Sequence, residues 1–252
     1  MLHFVGAGSG AADLITVRGQ KLLKEADVII YAGSLVNPAL LENAKKECKI
    51  YDSANMTLEE VIEVVSEAEK EGKTTVRLHT GDPSIYGAIR EQMDLLDEQG
   101  IAYDVTPGVS SFCGAAAAMK AEYTLPDVSQ TVIITRMAGR TPVPEKEEIS
   151  LLASHQATMV IFLSTGLLES LSERLIAGGY QADTPAAIVY KATWPDEKKF
   201  LCTVGTLAQT AKENNITKTA LIMVGNFLGN EYERSKLYDP AFTHEFRRAK
   251  ED

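Results

Sequence analysis

Two short turns in the first half of the chain have the residue types of a ligand site. The first has the sequence GDPSIYG at residues 81–87, and the second has PGVSSF at residues 107–112. Each follows a strand-like run and precedes a helix-like run, so both are expected at the rim of a sheet, where open α/β proteins hold ligands. A glycine at a strand end would also let a ligand lie directly on the backbone.

Helix capping is the simpler interpretation of the first turn. Aspartate is a favoured N-cap and proline a favoured first helical residue, so Asp82 and Pro83 alone indicate the start of a helix. Capping does not explain Gly81, nor the pair Ser110 and Ser111 at a neighbouring strand end. Taken together, the two turns favour a ligand pocket.

A third turn, GAGSGA at residues 6–11, fits the loose dinucleotide-binding fingerprint after a first strand. That fingerprint also requires an acidic residue at the end of the second strand, where it holds a ribose. Here the second strand is followed by Ala32, Gly33 and Ser34, and Asp27 comes before it. We therefore interpret the turn as one whose glycines let the backbone approach another group closely.

The sequence offers no convincing nucleophile-and-base set and no metal-ligand spacing. Its four histidines are scattered: His3, His79, His155 and His244. His79 lies two residues before Gly81, and an ordinary strand-end histidine is its simpler interpretation. Chemistry is therefore expected to come from a bound cofactor, with the protein supplying orientation.

Basic residues in the second half are candidate anchors for an anionic substrate. Arg136 and Arg140 follow a strand-like run, and Lys191 lies near Trp194. Guanidinium groups bind carboxylates through paired hydrogen bonds, which favours a carboxylated substrate. A solvated loop with two arginines is an equally simple interpretation, and Trp194 fits either a core or the cover of a flat ligand.

Composition and charge limit the class of protein. Of 252 residues, 45% are hydrophobic and 24% charged, as in ordinary globular proteins. A formal net charge of −10 opposes general binding to nucleic acid or anionic membranes. With no signal-peptide pattern and no membrane-spanning run, we expect a soluble, cytoplasmic protein. Three separated cysteines, expected to be buried free thiols, agree with a reducing compartment: Cys48, Cys113 and Cys202.

Strand and helix signals alternate along the chain, which predicts two successive α/β domains. The polar stretch 123–130, which contains Pro126, places the boundary between residues 1–122 and 123–252. Residues beyond 230 are expected to form a tail packed on the surface or on a partner subunit. Strands are predicted at 2–5, 28–31, 74–78, 132–135, 159–163, 186–190, 200–204 and 220–224. Helices are predicted at 16–25, 167–176 and 207–214, after a proline-led cap at Asn37, and after a capping box at Thr57 and Glu60.

These segments together resemble the tetrapyrrole methylase family. The resemblance rests on VGAG at residues 5–8, DLITVRG at 13–19, GDP at 81–83 and PGVSS at 107–111, and it extends to about residue 227. It implies the tetrapyrrole methylase fold of two α/β domains, with the active site in the cleft between them. It also implies S-adenosylmethionine as cosubstrate and a homodimer.

Three further stretches are similar to the branch of that family that methylates carbon 11 of precorrin-4 in cobalamin biosynthesis. They are YAGSLV at 31–36, TRMAGRTPVP at 135–144 and VYKATWPDE at 189–197. The resemblance implies C-methylation of precorrin-4, or its cobalt form, to the corresponding precorrin-5. The macrocycle carbon would attack the sulfonium methyl in line, with no protein nucleophile and no protein-bound metal, so any cobalt would belong to the substrate.

By position, the resemblance assigns nine residues to the cofactor: Thr80, Gly81, Asp82, Ile85, Ser110, Ser111, Leu163, Ala192 and Ala220. As a hypothesis, Arg136, Arg140 and Lys191 bind the acetate and propionate groups of the substrate. Many relatives have proline where this chain has Ser9, which is expected to loosen the glycine turn.

Two other functions fit the sequence. One is a sister methyltransferase that acts on another carbon of the ring or on another precorrin or uroporphyrinogen. The other is a non-catalytic module that binds an adenosine ligand with its glycine turns, against which the pair Arg136 and Arg140 argues.

Overall fold

Two β-sheets, each packed against helices, form the framework of residues 1–249, the part of the chain that the computed structural model describes; the side chain of Ser34 is excepted. The strands are β1 Leu2–Gly6, β2 Val28–Tyr31, β3 Lys49–Asp52, β4 Thr75–His79, β5 Tyr103–Thr106, β6 Val132–Arg136, β7 Thr158–Phe162, β8 Pro185–Tyr190, β9 Lys198–Thr203 and β10 Ala220–Val224. The α-helices are α1 Val17–Glu25, α2 Leu58–Lys70, α3 Arg90–Glu98, α4 Ser111–Met119, α5 Ile149–Ala153, α6 Leu168–Ala177 and α7 Leu207–Glu213.

The described chain divides into two compact units. The first contains Met1–Ala115 together with Ala192–Asp196, and the second contains Ala116–Lys191 together with residues 197–249. The short segment Ala192–Asp196 thus belongs to the first unit although it follows β8 in the chain. The domain boundary after residue 122 and the active site in a cleft between domains stay predictions.

The first unit is built on a parallel sheet with strand order β3-β2-β4-β1-β5. Helices cover both of its faces, which is why β2 and β4 are nearly continuous buried runs rather than alternating ones. One core contains Phe4 and Ile30 against α2, and the other contains Val5 and Ile29 against α1. The predicted α/β architecture is confirmed, and β2 has the predicted bounds.

The capping signals at Asn37 and Thr57 act as predicted in the first unit. The Thr16 side chain accepts a hydrogen bond from Gly19 N at the start of α1. Thr57 and Glu60 form a complete capping box on α2. Asn37 accepts from Ala39 N and starts a 3-10 helix, Pro38–Asn43, rather than an α-helix. A cap of this kind stabilises a helix by about 1 kcal/mol, so these residues fix where the chain leaves each loop.

The second unit is built on a mixed sheet with strand order β6-β7-β10-β8-β9. β6 and β7 are parallel, whereas β10 is antiparallel to both β7 and β8, and β8 is antiparallel to β9. The central strands β8 and β10 are buried, while the edge strand β9 exposes Lys198 and Lys199. Lysines on an edge strand oppose pairing with another sheet edge.

Two expectations from the sequence are wrong. Asp82 and Pro83 do not start an α-helix, because they lie in a turn and α3 begins only at Arg90. The thiols are not buried: Cys113 is exposed, and Cys48 and Cys202 are partly buried. Cys113 lies in α4, whose buried face is formed by the next two residues, Gly114 and Ala115. Among the described residues, every helix is too short or too polar to cross a bilayer.

Candidate functional site

Three turns meet at the carboxyl edge of the first sheet. They follow β1, β4 and β5, which are neighbouring parallel strands, so all three turns open at the same edge. The glycine turn after β1 is bonded directly to the turn after β4. Gly8 N donates to Gly81 O at 3.2 Å, and Gly81 N donates to Gly8 O at 2.9 Å. These two turns therefore behave as one piece of backbone.

Asp82 joins the turn after β4 to the turn after β5. Its Oδ2 accepts a hydrogen bond from Gly108 N at 2.8 Å, and its Oδ1 accepts from Ser84 N at 2.8 Å. Burial raises the pKa of Asp82, but the hydrogen bonds from Ser84 and Gly108 outweigh burial, so the pKa lies below its usual value. The carboxylate is thus ionised at neutral pH, and both of its oxygens already accept hydrogen bonds from backbone N–H groups. Asp82 is therefore suited to connecting the two turns and not to accepting a proton in a reaction.

The backbones of these turns approach too closely for side chains. A Cβ added to Gly108 would lie 2.1 Å from Gly81 O and 2.8 Å from the Cα of Gly6. A Cβ added to Gly6 would lie 2.6 Å from the same carbonyl oxygen. Both glycines are therefore required by contact between backbones. For Gly6, this agrees with the close backbone approach predicted for the turn at residues 6–11.

The structure brings seven of the nine predicted cofactor residues to this part of the first unit. Gly81 faces the serine pair, since a Cβ on it would lie 3.4 Å from Ser110 Cα and 3.5 Å from Ser111 N. Ala192 reaches the glycine turn, where its carbonyl oxygen would lie 2.8 Å from a Cβ on Gly10. The other members belong to the same turn as Gly81: Thr80, Asp82 and Ile85.

The remaining predicted residues gather at one end of the second sheet. Arg136 is the last residue of β6 and pairs with Phe162 of β7, which directly precedes Leu163. Ala220 begins β10 and pairs with Tyr190, and Lys191 N donates to Thr219 O at 3.0 Å. Leu163 is 68% exposed and has a φ of +52°, so an apolar side chain is presented to solvent by a strained backbone.

Arg136 holds the loop that carries Arg140. Its Nη1 donates to the carbonyl oxygens of Met137 and Thr141 at 3.1 and 3.2 Å, and its Nη2 donates to that of Pro142 at 2.7 Å. Arg140 is exposed on the same loop. The guanidinium of Arg136 is thus engaged with the backbone, and its predicted role with substrate carboxylates stays a prediction.

A buried polar group lies behind the turn after β4. Arg77 donates from Nε to Gln92 Oε1 at 3.2 Å and from Nη1 to Ile30 O at 3.1 Å, and Gln92 in turn donates to Ala88 O at 2.9 Å. Burial lowers the pKa of Arg77 to about 10. Burial, together with the positive charge of Arg77, lowers the pKa of His79 to about 3, and the Nε2 of His79 has no hydrogen-bond partner.

His79 should make the protein less stable in mild acid. Its pKa is about 3 when folded against 6.5 when exposed, so the unfolded chain binds the extra proton first. Stability from this residue is complete above pH 6.5 and falls by about 1.4 kcal/mol per pH unit below it, until the folded pKa is reached. In urea unfolding at pH 7, 6 and 5, the free energy of unfolding of His79→Leu should fall less steeply with decreasing pH than that of the unmodified protein. His155→Leu, at an exposed position, is the control and should behave like the unmodified protein. Equal slopes for His79→Leu and the unmodified protein would contradict this role.

Within residues 1–249, no group of three or more histidine, cysteine, aspartate or glutamate side chains is arranged to hold a metal ion.

The sequence analysis did not identify contacts that form only when distant segments meet in the fold. Thr193 and Ser9, 184 positions apart, are joined by their hydroxyl groups. The one feature of the sequence that pointed to this position was Ser9 itself, which stands where many relatives have proline.

Comparison with known proteins adds direct relatives. A model of the tetrapyrrole (corrin/porphyrin) methylases matches residues 1–208. A cobalt-precorrin-4 C(11)-methyltransferase of Methanocaldococcus jannaschii is 56% identical over 246 residues, which cover 97% of this chain and 95% of that protein. A protein of the same description from Priestia megaterium is 48% identical over 251 residues, covering 98% and 97%. The X-ray structure of a cobalamin biosynthetic enzyme, cobalt precorrin-4 methyltransferase, superposes with a TM-score of 0.89 at 48% identity and covers 91% of this chain and 96% of that one.

Proposed function

Because the chain belongs to the tetrapyrrole methylase family, we propose that it transfers a methyl group from S-adenosylmethionine to carbon 11 of precorrin-4 or cobalt-precorrin-4. The product would be the corresponding precorrin-5 of cobalamin biosynthesis. The observation that carries this proposal is 56% identity, across nearly the full length of both chains, to a cobalt-precorrin-4 C(11)-methyltransferase.

The predicted cofactor residues fit a ligand held by backbone. The turns at residues 6–11, 80–82 and 107–111 present main-chain groups without intervening side chains, and Asp82 fixes the last two relative to each other. In the second unit, Leu163 and Ala220 are close in the fold, since Thr165, two residues after Leu163, donates from Oγ1 to Ala220 O at 3.1 Å. We assign all nine predicted residues to S-adenosylmethionine.

The chemistry needs orientation more than reactive side chains. When bound, S-adenosylmethionine supplies an electrophilic methyl carbon, so a carbon–carbon bond to the ring forms while the carbon–sulfur bond breaks and leaves its electron pair on sulfur. The residues of this chain align the two reactants and exclude water, effects that reach about 7–11 kcal/mol in well-oriented systems. Asp82 contributes by holding the turns, because its oxygens are already occupied by backbone donors.

Transfer of a labelled methyl group distinguishes a methyltransferase from a module that only binds an adenosine ligand. The protein should move a labelled methyl group from S-adenosylmethionine to a precorrin-4 preparation, with stoichiometric release of S-adenosylhomocysteine. A protein that binds the adenosine ligand and transfers no methyl group to any tetrapyrrole would be a binding module, and the proposal would fail.

Arg136→Ala should weaken substrate binding selectively. We assign Arg136, Arg140 and Lys191 to the acetate and propionate groups of the macrocycle. Loss of Arg136 also frees the carbonyl groups of Met137, Thr141 and Pro142, so the loop carrying Arg140 loses its support. We expect the tetrapyrrole KM to rise about tenfold to a hundredfold, or turnover to be lost, because misplaced binding groups cost this much.

Affinity for S-adenosylmethionine is the internal control for Arg136→Ala and should stay nearly unchanged. Arg136→Lys retains the charge but lacks the forked donor group, so it should also raise KM, whereas Arg140→Ala removes a charge without loosening the loop. Equal losses of cofactor and substrate affinity in Arg136→Ala would refute the assignment.

We also infer a homodimer and a cytoplasmic location. Residues 230–249 expose large apolar side chains, which fit burial against a partner subunit: Tyr232, Leu237, Tyr238, Phe242 and Phe246. An exposed free thiol, Cys113, fits a reducing compartment. Light scattering should give twice the chain mass for the unmodified protein, and Tyr238→Ser with Phe246→Ser should shift it towards the monomer.

A further inference from the structure

The segment Ala192–Asp196 holds the glycine turn through the hydroxyl group of Thr193. Thr193 Oγ1 accepts a hydrogen bond from Ala11 N at 3.0 Å and lies 3.0 Å from Ser9 Oγ. Ser9 is only 5% exposed, so its hydroxyl group would be left in a largely dry environment without this contact. These two contacts join residues far apart in the sequence at the edge of the first sheet.

Close packing surrounds the two hydroxyl groups. A Cβ on Gly10 would lie 2.2 Å from Trp194 Cδ1, so the indole ring rests directly on the glycine turn. A Cβ on Gly114 would lie 2.7 Å from Ser9 Cβ and 3.2 Å from Thr193 Cγ2. The space on both sides of the contact is therefore filled, and the turn has little freedom to move independently of the segment.

Thr193 adopts a conformation that its own side chain disfavours. Its φ is +67°, in the left-handed region that β-branched residues rarely occupy, and Lys191 has a φ of +46°. Such strain persists only where the surroundings impose it, and it concentrates at functional sites. A glycine here would remove the strain but also the hydroxyl group.

The position of the glycine turn is passed on to the residues assigned to the cofactor. Gly8 is bonded to Gly81 in both directions, and Ala192 directly precedes Thr193. We propose that Thr193, with Ser9, is a positioning residue that sets Ala192 and the turn at residues 80–82 in register for the cofactor. The identity of the ligand in this inference rests on the proposed function. The contact of Thr193 with Ser9 and Ala11 is independent of that function.

Ser9 thereby gains a role that a proline could not fill. Proline stiffens a turn through its ring but offers no hydroxyl group. Here the turn is held from outside by Thr193, so the loosening expected from Ser9 is offset by a hydrogen bond across the unit.

Binding of S-adenosylhomocysteine to Thr193 variants tests the proposal by calorimetry. Thr193→Val is isosteric and lacks the hydroxyl group, and we expect its Kd to rise about tenfold, in line with the cost of small displacements in a site. Thr193→Ser keeps the hydroxyl group and should bind within about twofold of the unmodified protein. Thr193→Gly relieves the backbone strain, so it should fold well and still bind about tenfold more weakly.

Thr206→Val is the matched control, because Thr206 Oγ1 accepts from Thr203 N at 3.0 Å and lies 3.1 Å from Thr203 Oγ1, the same pair of contacts at an exposed site. It should leave the Kd unchanged. Hydrogen exchange at the Ala11 amide gives a second readout that needs no ligand, and Thr193→Val should accelerate it while Thr206→Val should not.

The outcomes separate this proposal from the proposed function. If the unmodified protein fails to bind S-adenosylhomocysteine, the proposed cofactor is wrong, and the Ala11 exchange rate still decides whether Thr193 holds the turn. If the unmodified protein binds and Thr193→Val binds equally well, or if Ala11 exchange is unchanged in that variant, the positioning role is refuted.

Discussion

Replacing Gly108 with alanine should destabilise the protein by about 3 kcal/mol or more and abolish binding of S-adenosylhomocysteine. The new Cβ would lie 2.1 Å from Gly81 O and 2.8 Å from Gly6 Cα. Both obstacles are backbone atoms next to paired strands, so no flexible side chain can move aside. Relief requires the turn after β5 to separate from its neighbours, which also breaks the hydrogen bond from Gly108 N to Asp82.

Gly166→Ala is the control for Gly108→Ala, because a Cβ there meets nothing within 4 Å and its φ is not in the left-handed region. Urea unfolding should place the control within about 0.5 kcal/mol of the unmodified protein, as for ordinary surface substitutions. Calorimetry then measures ligand binding under conditions in which each variant is folded. A Gly108→Ala protein as stable as the control, with normal affinity, would mean that the backbones of the three turns are not in contact.

Replacing Asp82 with asparagine should weaken S-adenosylhomocysteine binding about a hundredfold, the loss of about 3 kcal/mol expected when charge-assisted hydrogen bonds fail. Asparagine has nearly the same shape, but one carboxylate oxygen becomes an NH2 group. That group would face a backbone donor, either Gly108 N or Ser84 N. One of the two hydrogen bonds must therefore break. Its loss either separates the turn after β4 from the turn after β5 or loosens the turn after β4 itself.

The pH dependence gives a second check on Asp82. Its folded pKa lies below the ordinary value, so its contribution to stability is complete above the unfolded pKa and is lost as the pH falls through the folded one. Between pH 6 and 9 Asp82 should therefore add no step to binding or turnover. Asp239→Asn is the matched control, since Asp239 accepts from Ala241 N at 2.8 Å at an exposed position. Equal affinity in Asp82→Asn and Asp239→Asn would contradict the role of Asp82.

Elements held by local signals could be predicted from the sequence. The run at residues 28–31 is apolar and β-branched, and it became β2 with the predicted bounds. The capping box at Thr57 and Glu60 set the start of α2, because its hydrogen bonds lie within a few residues of each other. The strand β3, with sequence KIYD, was not predicted, because a run of four residues that begins with lysine and ends with aspartate lacks the apolar pattern typical of a strand.

Contacts between distant segments could not be predicted in the same way. Asp82 had the local signature of a helix cap, yet its Oδ2 accepts from Gly108 N across two strand ends. Arg136 had the signature of a carboxylate anchor, which stays a prediction, and nothing in the sequence indicated that it also donates to loop carbonyl groups. In both cases the hydrogen-bond partner is a backbone group whose position depends on the fold. The types of the side chains were enough to predict where in the chain the site lies, but not which groups they contact.

The position of the transferred methyl group tests the central claim most directly. Precorrin-4 or its cobalt form, incubated with the protein and S-adenosylmethionine labelled with carbon-13 at the methyl group, should give a single labelled product. Its carbon-13 NMR spectrum should place the label on carbon 11 of the macrocycle. A label on another ring carbon would assign the chain to a sister methyltransferase, and the absence of any labelled tetrapyrrole would contradict the proposed activity altogether.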